Sequence, residues 1–413
     1  MAVRDFRLWW LAQLGMVVSL QMLEVAIGWE VYAQHRSALD LGWIGLAEFV
    51  PLFVLALPAG QLADRLPRRF VFAGALLVGV GVGIGLAVVS GAGVTSVTPY
   101  LGLAVAAGIT MALGQPASRA MPPTLVQAHL LQSAMTLRSI ATSSAQVIGP
   151  AIGGLLYGVS PSLVYLLAAG ACLAAAASLM LMSPPSSATR QATEDRPATV
   201  RGVLEGLRYV GTTQVLLGAI LLDLLAVLFG GAIGLLPIFA RSILHVGAAG
   251  LGVLRAAPAL GALVGAAVIT RRPIAGRAGR LLLAVVLAYG ASMVVFGLSR
   301  SYPLSLAALG ISGFVDLYSM NIRSTTVALA TPDRLRGRVN AVEMVFISAS
   351  NQLGYFESGL AASLVGTVPA VVGGGVVTMS IALTWARLFP ALAAVDRLDE
   401  IRPETVAQEV VAA

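Results

Sequence analysis

The sequence predicts an all-α integral membrane protein, with twelve transmembrane helices arranged as two pseudo-symmetric six-helix bundles. Three observations carry this. Of its 413 residues, 58% are hydrophobic and only 11% charged, too little polar surface to coat a soluble globule of that size, so the apolar excess faces lipid. Twelve apolar stretches each reach the length of about 20 residues that a helix needs to cross the hydrocarbon core. The second six also repeat features of the first at a nearly constant offset.

The first stretch follows the arginines of "MAVRDFRLWW" and runs to about residue 32 without a small-residue cleavage site, which reads as a retained helix and not a signal peptide. In the first half the spans cover 8–33, 41–61, 70–90, 99–121, 134–158 and 161–183. In the second they cover 211–237, 247–269, 280–299, 303–327, 339–364 and 367–391. The 45 glycines and 20 prolines do not argue against helices, because packed membrane helices use small residues at close contacts and tolerate proline. Between the halves, "SPPSSATRQATEDRPATVRG" is polar and rich in proline and serine, an exposed linker. The expected organisation is therefore a first bundle over 1–183, a cytoplasmic linker over 184–210, a second bundle over 211–391 and a tail over 392–413.

The repeat is visible in particular residues. "GLAEFVP" at 45–51 lies against "GVLRAAP" at 252–258, Gly45 over Gly252 and Pro51 over Pro258. Gly149 and Gly154 of the fifth span likewise fall against Gly354 and Gly359 of the eleventh. Two related bundles of this kind form binding sites between halves that rock against one another, which is a transporter's architecture. Orientation follows from charge: most arginines outside the spans fall on one side of this scheme, and Arg36, Arg241 and Arg300 on the other. The positive-inside rule then puts both termini in the cytoplasm.

Composition also excludes function classes. All 26 basic residues are arginine, so no P-loop lysine, Schiff-base lysine or pyridoxal cofactor is available. The net charge of +7 sits in short groups between apolar runs, as in the loops of a membrane protein and unlike a nucleic-acid-binding face. Cys172 is the one cysteine, and His35, His129 and His245 are far apart in sequence. No disulfide framework, metal site or enzymatic constellation is expected, and no cofactor.

After the second span comes "GQLADRLPRR" at 60–69. It resembles the signature loop of the major facilitator superfamily, G-x-L-a-D-r-x-G-r-[KR], with Gly60, Leu62, Asp64, Arg65, Arg68 and Arg69 in place and Pro67 where glycine is usual. Proline cannot adopt the positive φ open to glycine, so the turn must differ. The resemblance implies a cytoplasmic latch in which Asp64 meets a helix N-terminus or an arginine and breaks away as the bundles rock. Hydrated, topology-setting charges are the plainer reading. Glu343, at the cytoplasmic end of the eleventh span, is placed to meet the loop arginines.

In the fifth span "AQVIGPAIGG" is similar to the G-P-x-x-G-G pattern of the superfamily's exporters, through Gly149, Pro150, Gly153 and Gly154. Glycine admits close helix approach and proline a bend, so this stretch either shapes the interface between halves or is ordinary small-residue packing. Over nearly its full length the chain resembles the branch of enterobactin and bacterial drug exporters. That resemblance implies proton-coupled export of a small, often amphipathic molecule by a chain acting as a monomer in the bacterial inner membrane.

Ionisable residues inside spans are costly and are functional candidates by default. Asp223 and Asp316 fall near the midplane of spans seven and ten, and Glu24 lies a little outward in span one. In the superfamily those helices line the central cavity, where a carboxylate can bind and release a proton, or hold a cationic substrate, as access alternates. A structural hydrogen bond or ion pair is the alternative. Glu48 and Arg255 occupy equivalent places in the two halves and need partners, either each other or polar groups on adjoining helices. Glu357 lies deeper on span eleven. Arg119 and Arg138, near the cytoplasmic mouth, either snorkel or attract an anion. The same fold serves importers, and a membrane receptor or scaffold without transport is a third class; the paired halves and midplane acids argue against the last.

Overall fold

A computed structural model describes residues 2–183, 200–272, 274, 276–398 and 401. It is helical, with no β-strand among the described residues. The chain divides into two compact units, one of Met1–Ala198 with Pro237–Ala256, the other of Thr199–Leu236 with Ala257–Ala413.

The first unit contains α1 (Ala2–His35), α2 (Ala38–Val54), α3 (Ala56–Arg65), α4 (Arg68–Gly91), α5 (Thr98–Arg119), α6 (Leu131–Val159) and α7 (Pro161–Met180). The second expected span is broken into α2 and α3 for a local reason. Pro58 has no N–H to bond the Val54 carbonyl four residues back, and its ring crowds that carbonyl, so α2 stops at Val54. Ser37 caps the start of α2, its side chain accepting from the Asp40 N–H.

The second unit follows with α8 (Val200–Thr212), α9 (Gln214–Gly230), α10 (Ala248–Arg271), α11 (Ala278–Leu298), α12 (Tyr302–Ala330), α13 (Arg336–Val365) and α14 (Thr367–Leu388). The first turns of α10, to Ala256, belong to the first unit. Residues 200–212, from the expected linker into the first two residues of the expected seventh span, form the helix α8; residues 184–199 of that linker and 402–413 of the tail lie outside the described residues.

Nine helices among the described residues are long and apolar enough to cross a membrane. The other expected spans coincide with α2, which has only 17 residues before its break, and with α6 and α13. Polar and charged residues dilute those two: Gln132, Arg138, Ser143 and Ser144 on α6, Asn340, Glu343, Asn351 and Gln352 on α13.

The two units pack their helices by the same scheme. In the first, α1 packs on α6 and α7, α4 on α5 and α7, and α2 on α5. In the second, α9 packs on α13 and α14, and α11 on α12 and α14. Trp9, Met16, Phe72, Leu76 and Leu179 centre the core of the first; Leu222, Leu282, Ile322 and Trp385 lie in that of the second.

Glycine sets the closest crossings, and these recur at equivalent places. A Cβ on Gly108 would lie 2.3 Å from the Glu48 carbonyl oxygen and 2.6 Å from the Pro51 ring, so α2 and α5 touch backbone to backbone. In the second unit a Cβ on Gly313 would lie 1.9 Å from the Pro258 carbonyl oxygen, joining α10 and α12 in the same way. Pro51 and Pro258 are the prolines aligned by the sequence repeat. Gly149 likewise meets Val18 and Gln21 of α1, as Gly354 meets Val227 and Leu228 of α9.

Candidate transport site

In the second unit the acids gather around one arginine. Asp223, buried on α9, forms an ion pair with Arg323, which reaches across from α12 and is itself 5% exposed. Asp316 precedes Arg323 by seven residues on the same helix, two turns, and therefore lies on the same face. A cavity of about 100 Å³ opens beside Asp316, walled by Tyr289, Ser312, Asn351 and Tyr355. A smaller pocket of about 10 Å³ is lined by both Asp316 and Asp223, room for about one water. Both aspartates border the smaller pocket, but only Asp316 also lines the larger cavity, and Asp316 is exposed where Asp223 is buried. Glu343 on α13 is within electrostatic reach of Arg323 and Asp223. Three carboxylates thus share a neighbourhood with one guanidinium, a surplus of negative charge that a proton or cationic group can neutralise.

The remaining sequence candidates fall elsewhere. Glu24 on α1 is paired with Arg255 of α10. Glu48, 7% exposed, is buried on α2. Glu357 is half-buried, with the Ser358 hydroxyl at 3.5 Å as donor; that hydroxyl also donates to the Gly231 carbonyl at 2.8 Å.

Two buried charges absent from the sequence candidates are as well placed as any among them. Arg323 is one. Glu30 is the other, 4% exposed, one and a half turns beyond Glu24 on α1. Tyr100 of α5 donates to it at 2.9 Å and Tyr165 of α7 donates to its second oxygen, so one carboxylate ties three helices together. Both residues lie inside expected spans, where the rule that selected Glu24 and Asp316 applies to them equally.

The loop at 60–69 forms the end of α3, a two-residue turn and the start of α4. Leu66 is extended, as the residue before a proline prefers, and Pro67 stands at φ −58° as the N-cap of α4. No positive φ is needed, so proline replaces glycine here without strain. Arg68 donates to the Ala120 carbonyl at 2.7 Å, and Arg69 donates to those of Met182 and Ser183 at 3.3 and 3.4 Å. These carbonyls follow the C-termini of α5 and α7, where a cation suits both the unpaired carbonyls and the helix dipole. Arg69 also stacks 4.6 Å from the Phe70 ring centroid. Leu62 and Arg65 are exposed, and Gly60 has open space where a Cβ would stand. The side chain of Asp64 lies outside the described residues.

In the fifth-span pattern Gly149, Pro150, Gly153 and Gly154 are all buried and close-packed. A Cβ on Gly153 would lie 2.9 Å from the Met22 Cα, and one on Gly154 would lie 2.3 Å from the Ala248 carbonyl oxygen. Gly252 reciprocates, a Cβ there meeting the Pro150 carbonyl oxygen at 2.3 Å. Gly149, Pro150, Gly153 and Gly154 thus seat α6 against α1 and against the first turns of α10. Arg119, exposed at the end of α5, donates to Gln115 at 3.1 Å and feels the charge of Arg138.

Comparison with known proteins bears on the family and the fold. The family model described as "Transmembrane secretion effector", of the major facilitator superfamily, matches residues 1–413. The enterobactin exporter EntS of Shigella boydii serotype 18 is 28% identical over 342 residues, 82% of this chain and 80% of that protein. EntS of Escherichia coli O139:H28 matches to the same extent. Among solved structures, the nucleoside transporter NupG superposes with a TM-score of 0.71 at 12% identity, covering 94% of this chain and 99% of that one. The xylose transporter XylE from E. coli, in an inward open conformation, superposes at 0.69 and 14%, covering 97% and 99%. With its whole length matched, its apolar helices and its duplicated packing, the chain belongs to the transmembrane secretion effector family of major facilitator transporters.

Proposed function

We propose that this transporter exports a small amphipathic compound from the cytoplasm across the bacterial inner membrane in exchange for protons. Its similarity to enterobactin exporters makes a siderophore-like molecule or drug the cargo class to test first. The observation that carries the reading is the exposure of Asp316 to an interior cavity beside the Asp223–Arg323 pair. An accessible carboxylate next to one already neutralised is the group that protons and cargo compete for. When Asp316 takes a proton the cavity loses its surplus charge and releases a cationic or hydrogen-bonding group; when it gives the proton up, the site attracts cargo again. Arg323 meanwhile occupies Asp223 in an ion pair, which leaves Asp316 as the acid that exchanges. Tyr289, Asn351 and Tyr355 offer hydroxyl and amide groups to orient the cargo.

Everted membrane vesicles carrying Asp316→Asn, Asp223→Asn or Glu24→Gln, assayed for dye or drug accumulation under an imposed interior-acid gradient, test this. Asp316→Asn is expected to abolish gradient-driven accumulation while retaining downhill exchange of cargo. Full gradient-driven transport by all three variants would overturn the coupling. Cytoplasmic termini, expected from the arginine distribution, are tested by protease access in vesicles of known sidedness.

A further inference from the structure

Helix α8 has two unlike faces. At 100° per residue, Gly206, Tyr209 and Val210 share one side, and Leu204, Leu207, Arg208 and Gly211 share the other. The first side is committed. A Cβ on Gly206 would lie 2.9 Å from the Arg338 backbone, the Tyr209 hydroxyl donates to the Ala330 carbonyl at 3.0 Å, and Glu205 on the flank pairs with Arg338. α8 is thereby fastened to the end of α12 and the start of α13. The other side is open: Leu204 is 57% and Leu207 42% exposed, with Arg208 exposed beside them.

Position in the chain limits what can cover that side. Only Thr213 separates α8 from the spanning helix α9, so α8 lies at the membrane plane. Among the described residues the charges around it are unbalanced: Arg208, Arg334, Arg336 and Arg338 meet two acids, and both are already paired, Asp333 with Arg336 at 2.7 Å and Glu205 with Arg338. Arg208 and Arg334 have no acid within ion-pair distance among the described residues. Exposed leucines beside Arg208, on a helix one residue from a membrane span, with Arg208 and Arg334 both exposed and outside any ion pair among the described residues, match the boundary between acyl chains and anionic headgroups.

We propose that α8 is an interfacial helix that binds the headgroups of anionic phospholipids through Arg208 and Arg334 and dips Leu204 and Leu207 below them. Through the Glu205–Arg338 pair it passes that contact to α13, the helix that carries Glu343.

The test places a polarity-sensitive fluorophore on Leu207→Cys in a Cys172→Ser background, in nanodiscs of phosphatidylcholine with and without phosphatidylglycerol. A second label on the exposed position Gly337→Cys serves as control. Two arginines at an anionic surface amount to roughly a thirtyfold change in partitioning. The label at 207 is therefore expected to shift to the blue with phosphatidylglycerol, the label at 337 to stay unshifted, and the response to disappear in Arg208→Gln/Arg334→Gln and at high salt. A label equally water-exposed in both lipids overturns the proposal. So does one equally shielded in both lipids, which would show another segment of the chain on this face. Hydrogen exchange of residues 200–212 in the unsubstituted protein reads the same question without cysteine changes: slowing by anionic lipid supports the proposal, and unchanged exchange overturns it.

Discussion

Arg323 on α12 neutralises Asp223 on α9, while Asp316, two turns back along α12, opens onto the cavity. The two aspartates that composition alone made equivalent are thus divided into a paired and an accessible one. Removing one member of a buried pair strands the other charge, at a cost of roughly 3–5 kcal/mol. Asp223→Asn and Arg323→Gln are each expected to lower the unfolding temperature of the purified protein sharply, and the double variant to recover much of the loss. A double variant no better than the sum of the singles would show that the pair contributes no coupling.

Gly108→Ala and Gly313→Ala are expected to be destabilising by about 1–3 kcal/mol, the usual cost of overpacking. Each Cβ would enter the van der Waals shell of a backbone carbonyl, which cannot rotate aside. Gly60→Ala is the contrast: with nothing within 4 Å of its Cβ, it gains helix propensity of up to about 1 kcal/mol. Thermal unfolding of the three variants side by side checks the order.

The arginines of the loop at 60–69 differ in task. Arg68→Gln is expected to cost about 1.5–3 kcal/mol, the net worth of a charged hydrogen bond, and to speed amide exchange at the end of α5. Arg69→Gln is expected to do the same at the end of α7, whereas Arg65→Gln, exposed, leaves both ends unchanged. Peptide-resolved hydrogen exchange separates these outcomes.

Glu24 and Arg255 make a prediction of a different form. Either single substitution, Glu24→Gln or Arg255→Gln, is expected to impair transport, and the exchanged pair Glu24→Arg/Arg255→Glu to restore a substantial part of it. If the exchanged pair is as inactive as the singles, Glu24 acts through something other than its ion pair, such as proton uptake.

Much of this was legible in the sequence. Twelve apolar runs and the Pro51–Pro258 alignment give helices and a repeat because lipid imposes length and apolarity on every span. The break in α2 was legible in principle from Pro58, yet apolar length alone runs through it. Partner choice was not legible. Arg255 pairs with Glu24, 231 residues away, and Arg323 with Asp223 across a fold that periodicity does not specify. Glu30 was hidden for the opposite reason: its partners are two tyrosines, which read from sequence as membrane-interface aromatics or as packing. α8, too polar to span and placed in a stretch of linker composition, took its identity from the helix ends it is fastened to.

The crossings of α2 with α5 and α10 with α12 are one joint built twice, and each exists because a side chain is missing. Elsewhere on a membrane helix one apolar residue replaces another at little cost, so the halves of a duplicated gene are free to drift apart. A joint defined by absence has no such neighbours in sequence space, since every alternative to glycine adds an atom where a carbonyl already stands. Two halves can therefore lose most of their resemblance and still keep the same skeleton, each held in register by a few positions where nothing can be added.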